Sequence, residues 1–245
     1  MKTVAVTGAS RGIGREVALK FLKEGWAVHA IARDLAACRA LGEHVTAHEA
    51  DLSDAASTAR VADDLAKAGV DVLVNNAGIA MSAPIHKTSD ADYARIMAIN
   101  VTAPFVLCRA LLPAFGGRGS GRIVNIASTA ALKGFKYTSV YCASKHAVLG
   151  LTRALALEWA GKGVTVNAVC PGWTDTDMFA ASAGTISKTT GRSTEESRAA
   201  LAKLIPTGRP TQPAEVAELV FWLASSTAAA AVTGSAYSID GGETA

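Results

Sequence analysis

The sequence predicts a single-domain α/β fold, one doubly wound parallel sheet with helices on both faces, and three observations carry that prediction. Short β-rich runs alternate with helix-length segments of apolar periodicity from one end of the chain to the other, as a parallel sheet requires. The first of these alternations reads strand, glycine turn, helix, strand, which is a complete βαβ unit. No linker and no internal repeat interrupts the 245 residues, a length that one large domain fills while burying a sizeable core.

Thr3–Thr7 is strand-like, TGASRGIG at 7–14 is a glycine turn, and 15–24 carries Val17, Ala18, Phe21 and Leu22 on one helical face. Gly25 closes that helix and 26–31 gives a second buried strand. The order matters because a dinucleotide pyrophosphate can rest on a helix N-terminus, where free N–H groups and the helix dipole meet it and glycines admit the backbone. Val45–Glu49 is a weaker strand ending near Asp51, 54–68 is helical, and 70–74 is a strand running into NNAG at 75–78. The segment 90–115 has a long helical pattern with Pro104 inside it, so a kink or break is expected there. A glycine-rich turn at 116–121 precedes a buried strand at 123–127. The strand at 164–169 closes on PGWTDTDM at 171–178, after which 174–194, rich in Ser, Thr, Ala and Gly, suits a mobile lid, about 173–206 in all. Residues 195–204 and 213–224 read as helices, and 235–239 as a last strand.

Composition excludes several classes. A formal charge of +3 with dispersed Lys and Arg gives no nucleic-acid footprint. The chain shows neither an apolar signal segment nor about 18 unbroken apolar residues, so a cytoplasmic protein without a membrane span is expected. Cys38, Cys108, Cys142 and Cys170 lack CxxC pairing and read as reduced core thiols. His44 and His48 are four apart but flank strand-like residues, where that spacing does not converge on a metal; none is expected.

The chemistry centres on SVYCASKHAVLG at 139–150. Tyr141 and Lys145 are one helical turn apart, so an ammonium beside the phenol oxygen would favour phenolate and lower a pKa that starts at about 10. Such a tyrosine exchanges protons near neutral pH. Ser128 follows a buried strand, and its hydroxyl is offered at a strand end where a substrate oxygen can be held. Taken alone, the pair also fits a half-buried core tyrosine and a solvated lysine.

Together TGASRGIG, Asp51, NNAG, Asn100, Ser128, the Tyr141/Lys145 pair and PGWTDT resemble the short-chain dehydrogenase/reductase family, of Rossmann type, over essentially the whole chain. The resemblance implies Tyr141 as general acid/base, Ser128 on the carbonyl oxygen, Lys145 on the nicotinamide ribose and lowering the tyrosine pKa, and Asn100 supporting a proton-relay water. It implies a cofactor site with Gly8, Ser10, Arg11, Gly12, Ile13 and Gly14 at the pyrophosphate turn. Asp51 and Leu52 would lie near the adenine, Asn76, Ala77 and Gly78 along its ribose, and Pro171, Gly172, Thr174 and Thr176 at the nicotinamide. Trp173, Met178 and Phe179 would pack over an apolar substrate. GRIVNIAS, YCASKH and 164–172 are similar to 3-oxoacyl-carrier-protein reductases and aromatic-polyketide ketoreductases, although 78–84 lacks the Pro-Gly-Gly signature of the latter.

The expected cofactor is NADP(H). A ribose-binding acid belongs about 20 residues past the glycine loop, and Asp34 lies near that distance. Counted by resemblance from Thr7, however, the acid's position is Ala32, followed by Arg33, while Asp34 caps the helix starting at Leu35. Without a carboxylate at 32, Arg33 and Arg11 are free to clamp a 2′-phosphate. The expected activity is NADPH-dependent reduction of a small-molecule ketone, free or carried on coenzyme A or a carrier protein, to a secondary alcohol. The alternatives are a dehydrogenase of small or cyclic alcohols or hydroxyacyl thioesters, and a non-catalytic nucleotide sensor. Apolar helices around 101–112 and 147–159 exceed what one sheet face needs, which fits the homotetramers typical of the resembled family.

Overall fold

In chain order the elements are β1 (Thr3–Thr7), α1 (Gly12–Lys23), β2 (Ala27–Ala32), α2 (Leu35–Arg39), β3 (Val45–Glu49), α3 (Ala55–Ala68), β4 (Val72–Asn75), α4 (Asp90–Met97), α5 (Ala103–Arg118), β5 (Gly121–Ile126), α6 (Ser139–Trp159), β6 (Val164–Pro171), α7 (Asp177–Thr190), α8 (Thr194–Ala202), α9 (Pro213–Ser225) and β7 (Ala236–Ile239). The computed structural model describes residues 1–245, the side chain of Thr189 excepted. The strands form one seven-stranded sheet in the order β3-β2-β1-β4-β5-β6-β7, every pair parallel. The order reverses between β1 and β4, and a parallel sheet offers its ligand crevice outside the carboxyl ends of the strands at that switch.

Two apolar layers hold the sheet. On one face, Val17, Phe21 and Val220 from α1 and α9 pack on Val4, Val28, Val74 and Val124. On the other, Val61 and Leu65 of α3 and Leu107, Leu111 and Phe115 of α5 cover Ile31, Leu73 and Ile123. A buried polar strip crosses the second layer, with Asn75 Nδ2 donating to Asn125 Oδ1 (2.8 Å) and Asn125 Nδ2 to Thr152 Oγ1 (2.8 Å). It ties β4, β5 and α6 into one register, because each partner would otherwise be an unsatisfied buried group.

Several expectations change. The break expected at Pro104 is a widened π-type turn, Ala98–Thr102, just before it: the backbone stays helical from α4 into α5, and the wider turn accommodates a proline that has no N–H to give to the turn before it. The turn expected over 116–121 is mostly helix. Gly116 lies within α5, where glycine lets the Trp159 ring of α6 approach, since a Cβ there would meet it at 2.6 Å, and the helix ends only at Gly119, whose φ is +66°. Asp90–Arg118 is long and apolar enough, by composition, to cross a membrane; its buried positions are spent on the sheet and the π-type turn divides it. The segment expected as a lid is largely two helices, the second started by a reciprocal capping box between Ser193 and Glu196. His48 Nε2 lies 3.0 Å from Nδ1 of His29 on β2, with the two rings stacked. All four cysteines are free and buried.

Candidate active site

The glycine loop between β1 and α1 is fixed from the side of β4. Thr7 Oγ1 accepts the N–H groups of Asn76 and Ala77, both at 2.9 Å, and Asn76 Nδ2 donates back to Thr7 O at 2.8 Å. Gly8 and Gly12 hold left-handed φ values of +68° and +55°, and a Cβ on Gly14 would collide with Gly8 O and the Asn76 amide. Arg11, at the N-cap of α1, gives its first turn no side-chain cap, whereas Asp34, Asp54 and Ser89 cap α2, α3 and α4. The free donors of that first turn suit an anion, and the residues present therefore fit the pyrophosphate of a dinucleotide. A cavity of about 430 Å³ lies beside this turn, lined by Arg11, Gly12, Arg15, Thr176, Asp177 and Arg198 among others.

Ala32 is the last residue of β2, and Asp34 Oδ1 accepts the Ala37 N–H at 2.9 Å as the cap of α2. Arg33 is exposed. Across the strand end, Asp51 accepts the N–H and hydroxyl of Ser53 (2.9 and 2.7 Å), which hold its carboxyl below the ordinary value with a smaller contribution from Arg33. Leu52 beside it is buried. Arg11 reaches the other way, to Asp177 at the start of α7 (2.7 Å), so Arg11 and Arg33 do not converge in this structure.

Ser128, Tyr141 and Lys145 collect at the carboxyl end of β5. Ser128 leaves the strand in extended backbone, and its Oγ accepts the Ala130 N–H at 3.1 Å. Tyr141 and Lys145 lie one turn apart on α6, with the ammonium 5.7 Å from the phenol ring centroid. Lys145 Nζ donates to Ile126 O at 2.8 Å, and a Cβ on Gly78 would stand 3.4 Å from it, so glycine keeps the NNAG loop close. Burial pushes Tyr141 above its ordinary value, and the opposing influence is hydrogen bonding with Ser128, not the ammonium, which is turned to the Ile126 carbonyl and is itself lowered by burial to about 8. Asn100 sits in the π-type turn with Oδ1 on the Ile79 N–H and Nδ2 on Ile79 O, both 2.9 Å, and a further bond from Nδ2 to Ser144 Oγ at 3.0 Å. Ser144, which sequence reasoning missed, also donates to Tyr141 O at 2.7 Å. It therefore joins the Asn100 turn to the helix of the tyrosine, and the residue next to Lys145 on a buried helix face was the available signal.

The turn after β6 is held by the C-terminal tail. Gly172 N donates to Ile239 O at 3.2 Å, Thr174 Oγ1 to Gly172 O at 3.1 Å, and Thr176 Oγ1 to Thr174 O at 3.2 Å. Pro171 ends β6 itself. Glu243 was also missed: a Cβ on Gly172 would lie 2.7 Å from its Oε2, burial raises its carboxyl, and Lys133 Nζ donates to its backbone oxygen at 2.7 Å. Among the expected substrate residues, Trp173 and Phe179 meet edge to face at 5.8 Å, and Phe179 is only 2% exposed, packed with Ala183 and Leu201 inside the lid. Phe179 is thus lid core in this structure, and the apolar surface offered outward is Met178, 45% exposed.

Residues 2–186 match the short chain dehydrogenase family. The chain is 41% identical to galactitol 2-dehydrogenase (L-tagatose-forming) of Cereibacter sphaeroides, over 98% of this chain and 94% of that one. It is 40% identical to a Streptomyces coelicolor protein provisionally assigned as a ketoacyl reductase, over 97% and 95%. Among solved structures it is similar to a variant of actinorhodin polyketide ketoreductase with NADPH, at TM-score 0.93 and 38% identity, covering 99% of this chain and 97% of that one. ElxO with NADP bound is also similar, at TM-score 0.86 and 30% identity over 99% and 98%. The glycine loop, the sheet order and the Ser128, Tyr141 and Lys145 cluster agree with that match, and the chain belongs to the short-chain dehydrogenase/reductase family of oxidoreductases.

Proposed function

We propose that the protein is an NADPH-dependent ketoreductase, reducing a ketone, free or carried as a 3-oxoacyl thioester, to a secondary alcohol. The observation that carries this reading is geometric: Ser128 leaves the carboxyl end of β5, and Tyr141 and Lys145 lie one turn apart on α6, with Lys145 Nζ on the Ile126 carbonyl of that same strand end. Ser128 and Tyr141 supply two hydroxyls where charge develops on the carbonyl oxygen, and the phenol is the group that can give it a proton. Bound against Gly8 to Gly14, a reduced nicotinamide nucleotide supplies the hydride. Lys145 orients the nicotinamide ribose, Asn100 holds the Ile79 loop beside it, and Pro171, Gly172, Thr174 and Thr176 form the wall at the nicotinamide. Asp51, Leu52, Asn76, Ala77 and Gly78 line the adenosine end.

NADP(H) is preferred because Ala32 removes the carboxylate that would repel a 2′-phosphate and Asp34 is committed to capping α2. Arg33 is exposed beside it, and Arg11 joins it on exchanging Asp177 for the phosphate. The protein acts in the cytoplasm as a homotetramer, with the exposed Phe105 and Leu157 of α5 and α6 at subunit contacts. A panel of ketones with NADPH and NADH, read by loss of nicotinamide absorbance, tests the reading. NADPH is expected to give the lower KM, and Ala32→Asp combined with Arg33→Ser should reverse that preference. A wild type that prefers NADH overturns the assignment. The second reading, oxidation of a polyol or other secondary alcohol, is favoured by the 41% identity to a galactitol dehydrogenase, and alcohols with NADP⁺ belong in the same panel.

A further inference from the structure

Tyr137 is the non-glycine residue with positive φ among the described residues, at +66°. A side chain in this left-handed region crowds its Cβ against the following carbonyl, so glycine is the residue ordinarily found there. The strained turn is pinned from two sides. Tyr137 O accepts the Ala83 N–H at 2.7 Å, and Thr138 Oγ1 donates to Phe135 O at 3.0 Å. The first bond joins the loop after β4 to the loop after β5, which also carries Ser128, and α6 with Tyr141 begins two residues further on. Yet the ring that makes the turn costly is 62% exposed, so burial does not explain its presence. Strain that is held in place while its side chain stays free points to a role for that side chain.

Placement says what the role is. Ile85 follows β4, Leu132 follows β5 with Tyr137, and Met178 follows β6, and all are exposed apolar side chains. These three strands are neighbours in the sheet, and their loops leave from the edge at which Ser128 and Tyr141 stand. Exposed apolar side chains thus stand on three neighbouring loops at the sheet edge that carries the site, one of them an aromatic ring four residues before Tyr141 in the chain. Offset stacking and edge contacts make such a ring selective for another flat ring.

Resting on the ketoreductase reading, we propose that Tyr137 is a substrate-contacting residue whose ring packs on the body of the ketone, and that the substrate class is ketones bearing an aromatic ring system rather than small or polyhydroxylated ones. The test compares kcat/KM for 1-tetralone with that for butanone at saturating NADPH, in wild type, Tyr137→Phe and Tyr137→Gly. Glycine relieves the backbone, so the melting temperature of Tyr137→Gly should hold or rise, which removes unfolding as a cause. The tetralone-to-butanone ratio should fall about tenfold in Tyr137→Gly and stay within about twofold in Tyr137→Phe. A ratio that does not move in Tyr137→Gly overturns the inference. If the wild type reduces neither ketone, it is the ketoreductase reading that fails, and calorimetric binding of 1-tetralone to the NADP⁺-loaded protein then decides the contact. About tenfold weaker binding by Tyr137→Gly supports it, while equal binding, or none to the wild type, overturns it.

Discussion

The glycine-loop side of the molecule and the lid hold their side chains by different means. Around β1 and β4, position is set by backbone partners: Thr7 takes two N–H groups of the NNAG loop, Asn76 returns a bond, and Gly14 leaves no room for a Cβ. In the lid, Phe179, Ala183 and Leu201 make a small core of their own with Trp173 and Ile186 packed on it. One exposed ion pair, Arg11 with Asp177 at 2.7 Å, ties the lid to the glycine loop, while Arg198 with Asp175, also 2.7 Å but half-buried, lies within the lid. Such pairs contribute at most about 1 kcal/mol each, against several kcal/mol for a buried aromatic cluster. The sheet side can therefore keep Ser128, Tyr141 and Lys145 in register while the lid changes its position or its sequence. On the proposed reading the chemistry then rests with the first region, and the lid is free to differ without moving it.

If that division holds, the largest effect comes from the sheet side. Tyr141→Phe deletes the proton donor and almost no volume, so turnover should fall by a factor of about 10² to 10⁴ while NADPH affinity, followed by fluorescence titration, is kept. Turnover near wild type would dissolve the division at once. The raised phenol also fixes a pH dependence. The protonated form needed for reduction is present at neutral pH and lost as pH climbs through the raised value, whereas the oxidative rate should increase over that same climb.

Lys145→Met breaks the comparison from another direction, by separating function from stability. Burial lowers the ammonium to about 8 from 10.5, so below pH 8 the native state carries a charge it holds less well than the unfolded chain does. The unfolded chain binds more protons between about 8 and 10.5, and stability consequently rises with pH across that window. Replacing the ammonium by a thioether removes a cost of roughly 3 kcal/mol at neutral pH, offset by about 1 kcal/mol for the Ile126 carbonyl left without its donor. The variant should melt higher at pH 7 than wild type, with a flatter rise toward pH 10, and should lose most turnover and some cofactor affinity. A lower melting temperature at pH 7 would mean that the Ile126 bond outweighs the buried charge.

What the sequence made legible follows the same line. Thr3–Thr7 and Val45–Glu49 were readable to the residue because β-rich runs bounded by polar turns leave one solution, and the cap at Asp34 was readable because its acceptor serves the next turn of its own helix. Long-range partners were not. Nothing local to Asn100 names Ile79 and Ser144, and nothing in the C-terminal tail names Gly172 as the neighbour of Glu243. The lid misled for a compositional reason: Ser, Thr, Ala and Gly look loop-forming, yet Phe179, Ala183 and Ile186 fall at helical spacing and supply one buried stripe. Phe179 read as a substrate contact because an aromatic after a strand end has the same local signature whether it faces a ligand or a core.

The smallest expected effect lies where the two regions touch. Arg11 belongs to the glycine loop and Asp177 to the lid, and their ion pair asks one guanidinium to serve either the lid or a 2′-phosphate. Asp177→Asn keeps the shape and removes the charge. If Arg11 leaves Asp177 to bind the phosphate, the variant spares it that competition, and KM for NADPH should fall by about twofold to fivefold, the worth of an exposed pair, while KM for NADH stays put. If instead the pair mainly holds the lid against the cofactor, both KM values should rise together, since neither nucleotide then finds the lid in place. Measuring the two cofactors side by side separates these outcomes, because a phosphate-specific gain needs the 2′-phosphate and a lid effect does not. A parallel rise would move Arg11 out of cofactor discrimination and leave Arg33 to carry it.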